Sequence, residues 1–160
     1  MIGIMADSHD NLQSIKLAVR LFNETGCSLV IHAGDFVAPF AARELAKLSC
    51  PVKAVFGNCD GEKKGLQKVF HSLGEIKKAP LTFNHENLDF LVTHIPAARG
   101  SYPASEKYNV IIFAHTHKPE IKHEKKTLLI NPGETGGWVS GKGTVALLDP
   151  RTLSVDIITL

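Results

Sequence analysis

Five short apolar runs, each ending in residues that carry chemistry, constrain this chain of 160 residues more than any other feature. The runs cover 2–6, 29–33, 52–56, 90–92 and 110–114. Each has the apolar bias of a buried strand. Their ends read Asp7-Ser8-His9, Gly34-Asp35, Gly57-Asn58, Thr93-His94 and His115-Thr116-His117. Placed in one sheet, these ends would bring two Asp, one Asn and four His to a single edge. Carboxylate and imidazole are ligands for divalent transition ions. Seven such donors are too many for one ordinary site, and they suit two ions sharing a carboxylate.

The first half alternates strands with helices. Leu12, Ile15, Val19 and Phe22 recur at helical spacing, which predicts a helix over 12–25 with Asp10 or Asn11 as its cap and Gly26 as its stop. A second helix is expected over 39–48, opened by Pro39. Three strand-then-helix units in series imply a parallel, right-handed α/β core. The second half reads as strands over 81–84, 88–93, 110–114, 127–131, 144–148 and 155–159, with turns at 85–87 and 123–126 and one short helix over 99–107. Two sheets packed face to face with helices outside follow, in a single domain over 1–160 without linker or repeat.

Charge is mixed, with a formal net of +2, and no basic block or aromatic-studded basic stripe marks a nucleic-acid surface. Cys27, Cys50 and Cys59 form no CxxC pair, and an odd count fits a reducing cytoplasm. No apolar run approaches the roughly 20 residues that span a bilayer. A cytoplasmic protein without membrane attachment is the expectation; a homo-oligomer is compatible with the sequence.

Taken singly, the polar islands are weak. An Asp-x-His pair is common, and one histidine at a strand end is ordinarily a hydrogen-bonded structural residue. Asp10-Asn11 is better placed for capping, which frees Asp7 and His9 for a site. Asn58 offers a neutral oxygen where charge is already high, whereas Cys59 is a soft ligand beside a hard set. His32 lies inside its strand and reads as a core or supporting histidine. His71, His85 and His123 read as solvated. Asn131-Pro132-Gly133-Glu134 follows a strand and is expected near the site. The glycines at 136–143 match no dinucleotide or Walker fingerprint.

The five islands in this order resemble the calcineurin-like metallophosphoesterases, specifically their small single-domain prokaryotic phosphodiesterase branch. The resemblance spans nearly the whole chain. It implies a four-layer α/β/β/α sandwich of two mixed sheets flanked by helices, and a dinuclear site above the sheet ends. It implies that Asp7, His9, Asp35 and His117 hold one ion, and that Asp35, Asn58, His94 and His115 hold the other, with Asp35 as the bridge. Mn²⁺ is the expected ion, and Ni²⁺, Fe²⁺, Co²⁺ or Zn²⁺ suit the same donors. Two such ions, about 3.5–4 Å apart, clamp a phosphate and acidify a water that attacks phosphorus in line. The implied activity is hydrolysis of a small phosphodiester. The other readings are a phosphomonoesterase, a nuclease, or a non-catalytic scaffold like the retromer subunit of the same fold.

The chain departs from that family's pattern at four places. Cys59 stands where larger relatives carry His, and Phe56 where many small relatives carry Arg. The family's His-Gly-His is His94-Ile95-Pro96 here, and its Gly-His-Thr-His is Ala114-His115-Thr116-His117. The donors survive these changes; no obvious general acid does. Arg99, Lys118 and Lys142 are the candidate phosphate-facing cations, each read more readily as a solvated surface residue.

Overall fold

The computed structural model describes residues 1–97 and 107–160. Four parallel strands begin the fold: β1 (Ile2–Met5), β2 (Leu29–His32), β3 (Val52–Val55) and β4 (Gly74–Lys77). Helix α1 (Leu12–Glu24) buries Ile15, Ala18, Val19 and Phe22. Its cap is Asn11, whose side chain accepts from the Ser14 N–H at 3.2 Å; Asp10 instead accepts from the Ala38 N–H at 2.9 Å. The second helix is shorter than expected. It is α-helical only over α2 (Pro39–Ala42) and tightens into a 3₁₀ segment over Arg43–Lys47, a common way for a short helix to end. The third unit closes through α3 (Lys63–Phe70), which buries Leu66 and Phe70.

Two late strands, β10 (Thr144–Leu148) and β11 (Val155–Thr159), join the other edge of this sheet antiparallel, giving the order β11-β10-β1-β2-β3-β4. The second sheet contains β5 (Leu81–His85), β6 (Leu88–Val92), β7 (Val110–Ile112), β8 (Glu120–Glu124) and β9 (Thr127–Asn131). Its order is β5-β6-β7-β9-β8, with β6, β7 and β9 parallel. Glu86 and Asn87 turn the first hairpin with φ of 50° and 64°, the left-handed pair that a tight hairpin requires.

The period-two alternation of the strands divides the core. Ile2, Ile4, Ile31, Val55, Phe90, Val92, Val110 and Ile112 fill the space between the sheets. Met5, Val30, Ala54 and Val145 face the other way, onto Ile15, Phe22, Leu45 and Phe70 of the helical layer. The outer face of the second sheet is buried too, at Leu91, Ile111, Phe113 and Leu129. The short helix expected over 99–107 falls outside the described residues, apart from Lys107. No helix among the described residues is long and apolar enough to cross a membrane.

The strand ends do not share one sheet. Those preceding Asp7, Asp35 and Asn58 belong to the first sheet, and those preceding His94 and His115 to the second. They meet because β1, β2 and β3 of one sheet and β6 and β7 of the other present their C-terminal ends to one side of the molecule.

Candidate metal centre

The backbone is unusual where the donors sit. Asp7, His9, Asp35, His115 and His117 all have left-handed φ, at 50°, 39°, 60°, 70° and 59°. Such a conformation is uncommon outside glycine, although Asp and His adopt it more readily than most residues. Here the loops enforce it on one another. The Asp7 N–H donates to the Gly34 carbonyl at 3.0 Å, and the His9 N–H to the Asp35 carbonyl at 3.1 Å. Gly34, at φ 99°, passes so close to the third loop that a β-carbon would lie 2.7 Å from the Gly57 nitrogen. One on Gly57 would lie 2.0 Å from Asp35 Oδ1. Both positions need glycine.

The side chains converge on Asp7 and Asp35. Asp7 is fully buried. Its Oδ1 lies 4.0 Å from His9 Nε2, 3.8 Å from His117 Nε2 and 4.0 Å from His94 Nδ1. Its Oδ2 accepts from the His115 N–H at 3.1 Å. Asp35 Oδ2 lies 3.7 Å from His9 Nε2 and 3.4 Å from His94 Nε2. Asn58 Oδ1 is 2.8 Å from His94 Nε2. The ring of His115 crosses that of His94 edge-on at 5.2 Å and stands further out, exposed. Two groups result, Asp7 with His9 and His117, and Asp7 with Asp35 and His94, each with donor atoms mutually within 4.8 Å. A third such group joins Cys59 to His9 and Asp35.

These residues suit a cation. Donors sharing an ion at about 2.0–2.2 Å lie about 3–4 Å apart, which is the spacing observed. Asp7 Oδ1 and His9 Nε2 are buried without a hydrogen-bond partner; His117 turns Nε2 towards Asp7 Oδ1 and Nδ1 towards Glu134. Burying polar atoms unpaired is costly, and a cation among them removes that cost. Burial pushes the Asp7 carboxyl up, against the pull of His94 and His117. Burial would raise Asp35 as well, but the His94 imidazole and the Cys59 N–H outweigh it and hold Asp35 well below the ordinary carboxylate range.

Comparison with known proteins agrees. Residues 1–153 match the calcineurin-like phosphoesterase superfamily domain. The chain belongs to that superfamily. A phosphodiesterase of Methanocaldococcus jannaschii is 34% identical over 157 residues, covering 92% of each chain. The structure of an archaeal phosphodiesterase superposes with a TM-score of 0.93 at 33% identity, covering 99% of each chain. Vps29 from Chaetomium thermophilum shares the fold at a TM-score of 0.71 and 15% identity, over 99% of this chain and 95% of that one.

In this calcineurin-like phosphoesterase, a second set of residues holds the donors in place. His32 is wholly buried and burial drives its pKa down to about 3, so the ring is neutral. Its Nδ1 accepts from the Gly34 N–H at 3.2 Å, which leaves Nε2 to donate to Ser8 Oγ at 3.1 Å. His94 Nδ1 faces the Ala33 carbonyl at 2.9 Å, an orienting contact that turns Nε2 towards Asp35. Burial opposes the charged ring of His94, but Asp35 and the Ala33 carbonyl raise its pKa all the same. Glu134 is buried 3.4 Å from His117 Nδ1. Burial would raise its carboxyl; the N–H groups of Ser140 and Val139 hold it below the usual range. Asn131 ties the same region, giving its amide to Thr116 Oγ1 at 2.9 Å and accepting from the Gly133 N–H at 2.9 Å.

Sequence reasoning missed Asp60. Its Oδ1 accepts from the N–H groups of Phe36 and Val37, each at 2.8 Å, and its Oδ2 from those of Asp35 at 3.1 Å and Gly57 at 2.7 Å. One carboxylate thus staples the loop of Asp35 to the loop of Asn58. The signal available was an acidic residue two places after Asn58 inside a turn, which is indistinguishable from ordinary turn chemistry. Of the candidate phosphate-facing cations, Lys118 and Lys142 are exposed, and Arg99 lies outside the described residues.

Proposed function

We propose that this chain is a metal-dependent phosphodiesterase that works through a dinuclear centre, with Mn²⁺ as the expected ion. The observation that carries the proposal is the pair of buried, unpartnered atoms on Asp7 and His9, grouped with His117 and next to a second group around Asp35 and His94. Asp7, His9, His117 and Asp35 would hold one ion, and Asp35, Asn58, His94 and His115 the other. Asp35 Oδ2 is within 3.7 Å of both His9 and His94, which supports its role as the bridge. When bound, the ions supply Lewis acidity for the phosphoryl oxygens and an acidified water.

The residues supply charge and orientation. Asp35 stays ionised across the neutral range. The Ala33 carbonyl and Glu134 aim His94 and His117. No side chain needs to act as the nucleophile, and in the metal-free protein burial and Asp35 push the Cys59 thiol up to about 11. In the net reaction the water oxygen joins phosphorus, one ester P–O bond breaks, and the departing oxygen takes a proton. The substrate is a small cytoplasmic phosphodiester, since the sequence carries no basic stripe for a polymer.

Metal-reconstituted protein assayed against a panel of phosphomonoesters and phosphodiesters, cyclic nucleotides included, tests this. Hydrolysis of an activated aryl diester is expected with added Mn²⁺, lost with chelator, and nearly abolished in Asp35→Asn together with lowered metal content. An Asp35→Asn protein with normal turnover and two ions sinks the bridge. A metal-loaded wild type inert towards the whole panel replaces the enzyme with a scaffold.

A further inference from the structure

The only tryptophan in the chain stands on the surface beside the metal centre. Trp138 is 65% exposed, so core burial does not explain its place. Yet it is fixed at both ends. Its backbone N–H donates to Glu134 Oε1 at 2.8 Å, and the same carboxylate oxygen lies 3.4 Å from His117 Nδ1. Its indole Nε1–H donates to the carbonyl of His9 at 3.0 Å. The loop between is latched to the first donor strand, with Thr135 N–H on the Ala6 carbonyl at 2.8 Å and Gly136 N–H on the Asp7 carbonyl at 2.9 Å. A largely exposed aromatic residue whose one polar side-chain atom is already bonded, tied to His9 and, through Glu134, to His117, has a flat apolar surface to offer.

We propose that Trp138 is a stacking platform that selects phosphoesters bearing a planar π group, an aryl ring or a nucleobase, on one ester oxygen. The proposal rests on the phosphodiesterase reading and names a substrate feature within it. The phosphate is held by the metal centre, and the planar group lies on the indole. Stacking of this kind tolerates different rings, because each has a π-face.

The sole tryptophan is its own reporter. Zn²⁺-loaded protein is titrated with phenyl phosphate, AMP and methyl phosphate, following indole fluorescence, and each is also measured as an inhibitor of activated-diester hydrolysis. Phenyl phosphate and AMP should quench saturably and be displaced by inorganic phosphate, whereas methyl phosphate should inhibit without quenching. A response to phenyl phosphate alone assigns an aryl site, and one to AMP alone a nucleobase site. Trp138→Ala should weaken inhibition by the aromatic phosphates by roughly 5- to 100-fold, with a much smaller change for methyl phosphate. Trp138→Phe keeps a ring and loses the bond to His9, and should retain most of the aromatic preference. If Phe and Ala variants instead lose kcat alike and the preference for phenyl over methyl phosphate stays, Trp138 merely braces His9 and the stacking role is overturned. Inhibition by both phenyl phosphate and AMP without quenching by either overturns it too. A wild type that hydrolyses no diester removes the phosphodiesterase reading itself, which the diester assay shows separately.

Discussion

Asp60→Asn is the sharpest test of how the centre is built. The substitution keeps the shape of the side chain and removes half of its accepting capacity. One oxygen serves Phe36 and Val37, the other Asp35 and Gly57. Whichever way the amide turns, its NH₂ faces two N–H donors. In each orientation one of those donors is buried and the other partly buried. A hydrogen bond to a charged group contributes about 1.5–3 kcal/mol, and an orphaned buried donor costs about 1–3 kcal/mol. An orphaned buried donor at about 1–3 kcal/mol and the partly buried one at the low end give a loss of about 2–4 kcal/mol. For a chain of this size each kcal/mol lowers Tm by about 2–4 °C, so a fall of roughly 4–16 °C is expected. Urea and thermal unfolding of the metal-free protein measure it. The same variant should bind metal more weakly, because the loops of Asp35 and Asn58 are no longer tied. A metal-free Asp60→Asn within 1 kcal/mol of wild type would refute the staple.

Acid stability follows from His32. Its folded pKa is about 3 against an ordinary 6.5, so the unfolded chain takes up the proton first. The stability gained by keeping the ring neutral is fully present above about pH 6.5 and is lost as pH falls towards 3, up to about 5 kcal/mol. His32→Gln should flatten the urea midpoint between pH 6.5 and 4, and a profile as steep as wild type contradicts this. Gly57→Ala would set a β-carbon 2.0 Å from Asp35 Oδ1. It should lower bound metal measured by elemental analysis while circular dichroism stays native; full metal content would show that the loop relaxes freely. Cys59 stands where larger relatives carry His, and no described residue is an obvious proton donor to a poor leaving oxygen, help that is worth about 10²–10⁴-fold. A diester series of graded leaving-group pKa should therefore give a steep rate dependence, flattened by Cys59→His; a flat series with chemistry rate-limiting would reveal an unassigned acid.

Strands with continuous apolar runs and the long amphipathic helix α1 were legible, because burial on one or both faces writes a period into the sequence. Where burial is slight, the period vanishes. Strand β8 is polar and mostly exposed along its length, so His123, expected in a turn, lies in a strand. Strand β4 buries only Ile76, and α3 offers two buried residues among lysines. The candidate donors could be picked out because they follow strands directly. Their division between two sheets could not, since a parallel strand reads alike in either sheet. Asp60 was hidden for another reason, and so was the part played by Glu134, although its loop was expected near the site. Each acts by accepting backbone N–H groups, and those groups are brought together only by the folded loops.

The left-handed backbone at Asp7, His9, Asp35, His115 and His117 also bears on how such a centre decays. Asp, Asn and His are among the few side chains that this conformation tolerates well, and Gly tolerates it best. Loss of a donor through Asn or Gly leaves the main chain at ease. Loss through Ala or a β-branched residue adds the conformational penalty to the missing ligand. A lineage drifting away from metal binding would therefore show Asn and Gly at these positions first, with the loops still in their old course. Residue type alone would then separate a centre that had been relaxed gently from one whose loops had to be rebuilt.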